Sequence, residues 1–221
     1  MAIFLGFDRS EYPGDDMMQL LRTQAGVDFT GFYLAPAPSH GNQGWMGKRS
    51  FLQGLGFGFA PIYVGQQQSP PGSLILTAPQ GKLDGGNATH LAQTAGFPAS
   101  SVLYLDVETG PPAKPAFFVY YKAWVQAVID NGFSPGVYCS HHLAAAFVAA
   151  DNRARAWVFQ FSTVGGNFTP PLPRPDPSHS SFSGAKVLQY AQNGKLVLGN
   201  KTLKPVDLNS ALVGDPSTLP P

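Results

Sequence analysis

The sequence predicts an α/β fold, an irregular (β/α)8 TIM-like barrel in which loop and hairpin partly replace the later helices. Apolar, β-rich runs alternate with helical stretches at a spacing of roughly thirty residues in the first units, as in successive βαβ units. Polar or aromatic residues stand at the ends of these runs. The 221 residues fall short of the roughly 250 of a full barrel, so later units must be abbreviated.

The strands of the predicted barrel are the apolar runs, and the helices between them end at glycines. Gly26, Gly96 and Gly132 each stand where a residue in the left-handed conformation would end a helix. We expect the first six strands at Ile3–Asp8, Phe29–Leu34, Phe59–Val64, Val102–Glu108, Pro135–Cys139 and Ala156–Phe161.

The clearest predicted helix spans Pro115–Asn131. Its apolar residues recur at steps of three and four, which predicts one stripe that packs on a sheet. Trp124 belongs to this stripe and is expected in the core. Cys139, the only cysteine, is expected to be a small buried hydrophobe, and it cannot form an intramolecular disulfide.

The pattern changes after Phe161. The segment Ser162–Ser183 is rich in Pro, Ser and Gly, and is either a wall of the active site or a loosely ordered surface segment. Lys186–Gln192 and Leu196–Leu198 are predicted as short strands around an Asn193-Gly194 turn. Val206–Asn209 would be the closing strand.

Composition limits the possible partners. The 14 Lys and Arg balance 13 Asp and Glu, and 12% of residues are charged, so no basic face for nucleic acid is expected. A neutral ligand such as a sugar chain suits this composition better. The 43% hydrophobic content supports one barrel over residues 1–213, with a frayed tail at 214–221. We expect a monomer that uses no cofactor and no metal.

The first residues, Met1–Asp8, lack a basic region and are too short for a signal peptide or a membrane span, so they are predicted as a strand. Either the protein is exported by other means, or the chain is a mature segment.

Candidate site residues are the polar side chains at strand ends, because the βα loops of a barrel converge on that face. Trp45, near a loop at the mouth, is expected to stack on a sugar, the alternative being packing under the loop. The strand-end candidates are Asp8, Tyr33, Tyr63, Gln66, Asp106, Glu108, Tyr138, Gln160, Gln189, Tyr190 and Asp207.

The strongest chemical signal is the run from Val102 to Glu108. Side chains alternate along a strand, so Asp106 and Glu108 share one face and lie about 7 Å apart. Such a pair suits acid/base cleavage of a glycosidic bond, by an inverting or a substrate-assisted route. An isolated pair of this kind more often caps a loop or pairs with a cation, but Asp8 and Asp207 also end strands.

Seven segments, in order along nearly the whole chain, resemble the glycoside-hydrolase-like domain related to glycoside hydrolase family 25. The segments are Gly6-Phe-Asp8, Pro61-Ile-Tyr-Val-Gly-Gln66, Tyr104-Leu-Asp-Val-Glu108, Ala116-Phe-Phe-Val-Tyr-Tyr-Lys-Ala-Trp124, Gly136-Val-Tyr138, Leu188-Gln-Tyr190 and Val206-Asp-Leu-Asn209.

The resemblance implies a barrel of glycoside-hydrolase type and a lysozyme-like muramidase acting on peptidoglycan in the cell envelope or outside the cell. By position, Glu108 corresponds to the proton donor and Asp106 to the acid that orients the N-acetyl group. Asp8 and Asp207 correspond to supporting carboxylates. The alternative is a barrel that binds cell-wall glycan without cleaving it, since fold is inherited more securely than chemistry.

Overall fold

Eight strands form a closed barrel in the computed structural model, which describes residues 2–219. The first six are β1 (Phe4–Asp8), β2 (Phe29–Tyr33), β3 (Gly58–Tyr63), β4 (Val102–Val107), β5 (Ser134–Ser140) and β6 (Arg155–Val164). After the two-residue β7 (Asn167–Phe168), the barrel continues with β8 (Ala185–Leu198) and β9 (Lys201–Ala211). The six predicted strands are thus confirmed, with shifts at their ends.

Within residues 2–219, five α-helices surround the barrel, and each connects two of the first six strands. They are α1 (Asp15–Thr23), α2 (Arg49–Gly54), α3 (Ala78–Thr94), α4 (Pro115–Asp130) and α5 (His141–Ala150). Gly26, Gly96 and Gly132 have positive φ, as predicted for the residues that follow helices. The predicted stripe on α4 is buried, and Trp124 is in the core. No helix within residues 2–219 is long and apolar enough to cross a membrane.

The last strand runs against all the others. Strands β1 to β6 pair in parallel with one another, and β8 pairs in parallel with β6. Strand β9 is antiparallel to both β8 and β1, and this double pairing closes the barrel. A hairpin therefore replaces the final βα unit, as the length of the chain predicts.

The segment between β6 and β8 replaces a helix by irregular chain packed against the barrel. Leu172 is buried in the core, and the carbonyl of Pro173 accepts a hydrogen bond from Tyr190 at 2.7 Å. Arg174 donates to the Ile3 carbonyl and to the carboxylate of Asp28, the residue before β2. The segment is therefore neither the loosely ordered surface nor the site wall that its composition suggested.

The predicted Asn193-Gly194 turn is wrong. Strand β8 continues through both residues to Leu198, and the hairpin turns at Gly199 and Asn200, between Leu198 and Lys201. Asn193 adopts a φ of 56°, and the pairing with β9 shifts register between Ala191 and Gly194. Asn tolerates this left-handed conformation, so the same residues that suit a turn here form a bulge.

The end of the described chain closes the bottom of the barrel, so the predicted frayed tail is wrong for residues 214–219. The Asp215 carboxylate accepts a hydrogen bond from the backbone N–H of Phe59 at 3.0 Å. Tyr104, inside the barrel, donates its hydroxyl to the carbonyl of Pro216 at 3.1 Å. Residues 220 and 221 of the predicted tail lie outside the described residues.

This closure depends on Gly58 at the start of β3. A Cβ atom there would lie 2.0 Å from the carbonyl oxygen of Gly214, a backbone atom that cannot swing aside. We expect Gly58→Ala to lower the free energy of unfolding by about 1–3 kcal/mol, as overpacking does. Urea unfolding measures the change.

The matched control is Gly54→Ala on α2, where a Cβ meets no atom within 4 Å. It should leave stability unchanged or raise it by up to about 1 kcal/mol, because alanine favours helix. Equal unfolding midpoints for the two variants would show that residues 214–219 do not seal the barrel.

Candidate functional site

A cavity of about 770 Å³ opens at the end of the barrel where the parallel strands finish. Asp8, Asp106, Glu108 and Asp207 all line it, so the predicted convergence of these four carboxylates in one cavity matches the structure. The rest of the wall is formed by Arg9, Ser10, Glu11, Tyr33, Ser39, His40, Val64, Gln67, Gln68, Ser69, Pro70, Pro71, Gly72, Thr109, Gln192, Asn193 and Pro205.

Asp8 and Asp207 face each other across the pair of strands that closes the barrel. Their Cα atoms are direct partners in the antiparallel ladder of β1 and β9. Asp207 lies within β9 and not at its end, contrary to the sequence expectation, because β9 enters the barrel from the mouth. Gly31 on β2 leaves room for Asp8, since a Cβ at Gly31 would lie 2.6 Å from the Cβ of Asp8.

Protein donors satisfy both oxygens of the Asp8 carboxylate. Tyr33 donates its hydroxyl to one oxygen at 3.0 Å, and the Asn209 amide donates to the other at 2.7 Å. The Asn209 carbonyl in turn accepts from the indole N–H of Trp157 at 3.0 Å. A buried relay from Trp157 through Asn209 therefore fixes Asp8 in place.

A second relay holds Asp207. The Gln189 amide donates to one carboxylate oxygen at 2.8 Å, and the backbone N–H of Asn193 donates to the other at 2.7 Å. The hydroxyl of Tyr138 donates to the side-chain carbonyl of Gln189, which orients that amide. The bulge at Asn193 thus supplies a donor to the site.

The carboxylates of Asp106 and Glu108 differ from those of Asp8 and Asp207 in their hydrogen bonding. Within residues 2–219, neither the Asp106 nor the Glu108 carboxylate accepts a hydrogen bond, and Oδ1 of Asp106 is buried without a partner. Glu108 is exposed to the cavity. Of the four predicted carboxylates, two are therefore held by the protein and two are free to interact with a ligand.

Burial raises the pKa of all four acids. Desolvation is the main cause for Asp106, and the nearby Glu108 and Asp8 carboxylates raise its pKa further. Desolvation and Asp207 raise the pKa of Asp8 to about 8, against the hydrogen bonds from Asn209 and Tyr33, which lower it. Desolvation also raises the pKa of Glu108 and of Asp207. The cluster therefore retains protons near neutral pH and can supply one to a substrate.

The remaining predicted site residues divide by the direction of their side chains. Tyr33 lines the cavity, whereas Tyr138 and Gln189 lie in the buried layer below it, where they hold Asp207. Tyr63 points into the helical layer, where its hydroxyl donates to Asn87 on α3 and its ring lies near Trp124. The next residue, Val64, faces the cavity, so the predicted placement of Tyr63 is wrong by one residue.

Gln66, Gln160 and Tyr190 are also absent from the cavity wall. The Gln66 amide donates to the buried Asp84 carboxylate on α3 at 3.0 Å. Gln160 accepts from the backbone of Ser181, and Tyr190 reaches the irregular segment outside the barrel. Gln160 follows the inward-facing Phe159, and Tyr190 follows the inward-facing Gln189, so the alternation of the strand turns both outward.

Trp45 is not available for sugar stacking, so this prediction is wrong. Its side chain is fully buried, with its ring against Phe7, Tyr12 and Phe32. Its indole N–H donates to the carbonyl of Arg9 at 3.1 Å. The alternative interpretation is correct: Trp45 packs under the loop at the mouth.

Sequence reasoning missed four residues that shape the site: Asn209, Gln67, His40 and Arg9. Asn209 lies two residues after Asp207 on the same strand, so alternation could have identified it. The other three follow strand ends on loops, where no periodic signal applies. Within residues 2–219, no group of three or more His, Cys, Asp or Glu side chains could hold a metal ion.

The sequence matches the family described as Rv2525c-like, glycoside hydrolase-like domain, over residues 19–211. No curated protein matches it.

Solved structures share the fold at low sequence identity. An uncharacterized protein of B. stearothermophilus has a TM-score of 0.66 and 21% identity, over 94% of this chain and 95% of that chain. The Tat-secreted protein Rv2525c of Mycobacterium tuberculosis has a TM-score of 0.60 and 17% identity, over 97% and 96%. The autolysin LytC of Streptococcus pneumoniae, in complex with a synthetic peptidoglycan ligand, has a TM-score of 0.60 and 14% identity, over 94% and 46%.

The buried Asp106 makes stability depend on pH. A carboxyl group whose pKa is raised by folding contributes stability at low pH, and this contribution is lost as pH rises through the folded-state pKa. Asp106→Asn removes this loss, so it should raise the free energy of unfolding by on the order of 1–3 kcal/mol at about pH 8. Near pH 4 the gain should be much smaller. Urea unfolding at both pH values measures it.

The control is Asp130→Asn at the exposed end of α4, which should have the same small effect at both pH values. A gain for Asp106→Asn that does not grow with pH would contradict the raised pKa.

Proposed function

This chain belongs to the Rv2525c-like, glycoside hydrolase-like domain family, and from that premise we propose that it hydrolyses a cell-wall glycan, with peptidoglycan as the substrate. The observation that carries the proposal is the division of the four carboxylates into two held and two free. A binding site for neutral sugars has no need of a buried acid without a partner, whereas acid/base catalysis uses one.

Glu108 is the proposed general acid. It faces the cavity, makes no side-chain hydrogen bond within the described residues, and has a raised pKa caused by desolvation. Its carboxyl group donates a proton to the glycosidic oxygen as the bond from that oxygen to the anomeric carbon breaks. Its carboxylate then takes a proton from the water that attacks the anomeric carbon.

Asp106 is the proposed partner that orients the acetamido group of the sugar. It lies two residues before Glu108 on the same face of β4, about 7 Å away along the strand. That distance leaves room for an acetamido group between the two acids. A carboxyl oxygen of Asp106 accepts the acetamido N–H and so holds the acetamido group in place as the leaving group departs.

Asp8 and Asp207 have a supporting role in this proposal. Their oxygens are already bonded to Tyr33, Asn209, Gln189 and the Asn193 backbone. The charge of Asp8 raises the pKa of Asp106, which keeps a proton in the cluster.

The proposed location is the cell envelope or the outside of the cell. Two similar folds support it: the mycobacterial Rv2525c protein, described as Tat-secreted, and LytC, described as an autolysin. The substrate proposal draws on the same comparison, since LytC was solved with a peptidoglycan ligand.

Replacing the proton donor while keeping its shape tests the enzyme proposal. Glu108→Gln cannot protonate a leaving oxygen, so the rate of fragment release from purified peptidoglycan should fall by roughly two to four orders of magnitude. Mass analysis of the released fragments measures this rate. Asp130→Asn should release the same fragments at the wild-type rate.

Glycan binding should survive in Glu108→Gln. A wild-type protein that binds peptidoglycan or a chitin-like glycan but releases no fragments from either is instead the non-catalytic glycan-binding barrel, and the enzyme proposal is then wrong.

The affinity for glycan should depend little on salt, because sugar hydroxyls and acetamido groups carry no charge. Between about 50 and 200 mM salt we expect less than a roughly twofold change in the dissociation constant for an uncharged chito-oligosaccharide. Isothermal titration calorimetry with Glu108→Gln measures it without turnover. A loss of tenfold or more over this range would point to a charged ligand.

A further inference from the structure

Strand β3 leaves the barrel before its neighbour β4 reaches the catalytic pair. The parallel pairing of β3 with β4 ends at Tyr63 and Leu105, whereas the pairing of β4 with β5 continues to Val107. By continuation of the register, Gly65 would face Val107. Its backbone N–H instead donates to the carbonyl of Tyr63 at 3.0 Å, which turns the chain out of the sheet.

The side chain of Gln67 fills the place that Gly65 leaves. Its amide N–H donates to the backbone carbonyl of Asp106 at 2.9 Å, and its side-chain carbonyl accepts from the backbone N–H of Glu108 at 3.3 Å. A residue paired with Val107 in a parallel ladder would make the same two bonds through its peptide groups. The carboxamide of Gln67 thus acts as one further residue of β3, and it is buried in doing so.

The next residue makes the same kind of contact farther along the chain. The Gln68 side chain donates to the carbonyl of Pro112 at 3.3 Å and accepts from the backbone N–H of Lys114 at 2.9 Å. These bonds are exposed and lie beyond the carboxylates. Of these two glutamines, it is Gln67 that holds the backbone of both free acids.

We propose that Gln67 is a positioning residue that sets the separation and direction of the Asp106 and Glu108 carboxylates. This inference rests on the proposed function. Since neither carboxylate is bonded within the described residues, the backbone that carries them determines where they lie. Beyond Val107 the strand pairing no longer holds that backbone, so the two bonds from Gln67 do.

The test compares Gln67→Ala and Gln67→Met with Gln160→Ala, which removes a glutamine that accepts a hydrogen bond from the backbone N–H of Ser181 and does not line the cavity. Gln67→Met keeps the length of the side chain but makes neither bond. A loss of activity in this variant is therefore not caused by lost side-chain volume. Misplacing the acids should lower kcat by about 10- to 100-fold while KM changes by less than about threefold. Gln160→Ala should change kcat by less than about threefold. A rise in KM without loss of kcat in the Gln67 variants would instead mean direct substrate contact, and would overturn the proposal.

A double-mutant comparison tests whether Gln67 acts through Glu108. Adding Gln67→Met to Glu108→Gln should lower the residual rate far less than Gln67→Met lowers the wild-type rate, because the acid it positions is already gone. Equal factors in the two backgrounds would overturn the proposal.

Amide hydrogen exchange provides a readout that needs no turnover. The Glu108 amide should lose protection in both Gln67 variants, and the Ser181 amide should lose it in Gln160→Ala alone, with urea midpoints showing that all remain folded. Unchanged protection at Glu108 would overturn the proposal. If wild-type protein releases no fragments, the proposed function fails, and the positioning role of Gln67 is then judged by the protection of the Glu108 amide alone.

Discussion

The antiparallel insertion of β9 between β8 and β1 is the constraint on which the site depends. It closes the barrel and so removes the exposed edges that an open sheet would present. It also brings Asp207 opposite Asp8, although the two are separated by almost the whole chain. Two residues deeper, the same strand carries Asn209, whose amide holds Asp8. The hairpin of β8 and β9 therefore closes the barrel, carries Asp207 and supplies the amide that holds Asp8.

A cluster of buried carboxylates costs stability, and the barrel offsets the cost only in part. Asp8 and Asp207 each receive two donors, through relays that begin at Trp157 and Tyr138 in the aromatic interior. Hydrogen bonds of this kind compensate for much of the desolvation of an acid. Asp106 receives none, and its pKa is raised. Asp8 and Asp207 are therefore already hydrogen-bonded by the protein, whereas Asp106 and Glu108 are available to a ligand.

At the mouth of the barrel, the acids are held by groups outside the regular strand pairing. Gln67 continues β3 beside Asp106 and Glu108, and the bulge at Asn193 turns a backbone N–H toward Asp207. Both features occur where regular pairing ends or shifts. Regular strands therefore bring the acids to the mouth, and irregular chain adjusts them there. This division is common in barrels, where a rigid framework carries variable loops.

The sequence by itself determined the local elements and the face of β4 that carries two acids. Runs of apolar residues and helix-ending glycines act over a few residues, so they identify β1 to β6, the stripe of α4 and the shared face of Asp106 and Glu108. Only the tertiary structure decided which of two adjacent polar residues faces inward, as for Gln189 over Tyr190, because strand alternation has no absolute phase until a partner fixes it. It also decided the direction of β9, the burial of Trp45 and the seal formed by residues 214–219. Each of these depends on contacts between residues far apart in the chain, and no local pattern records them.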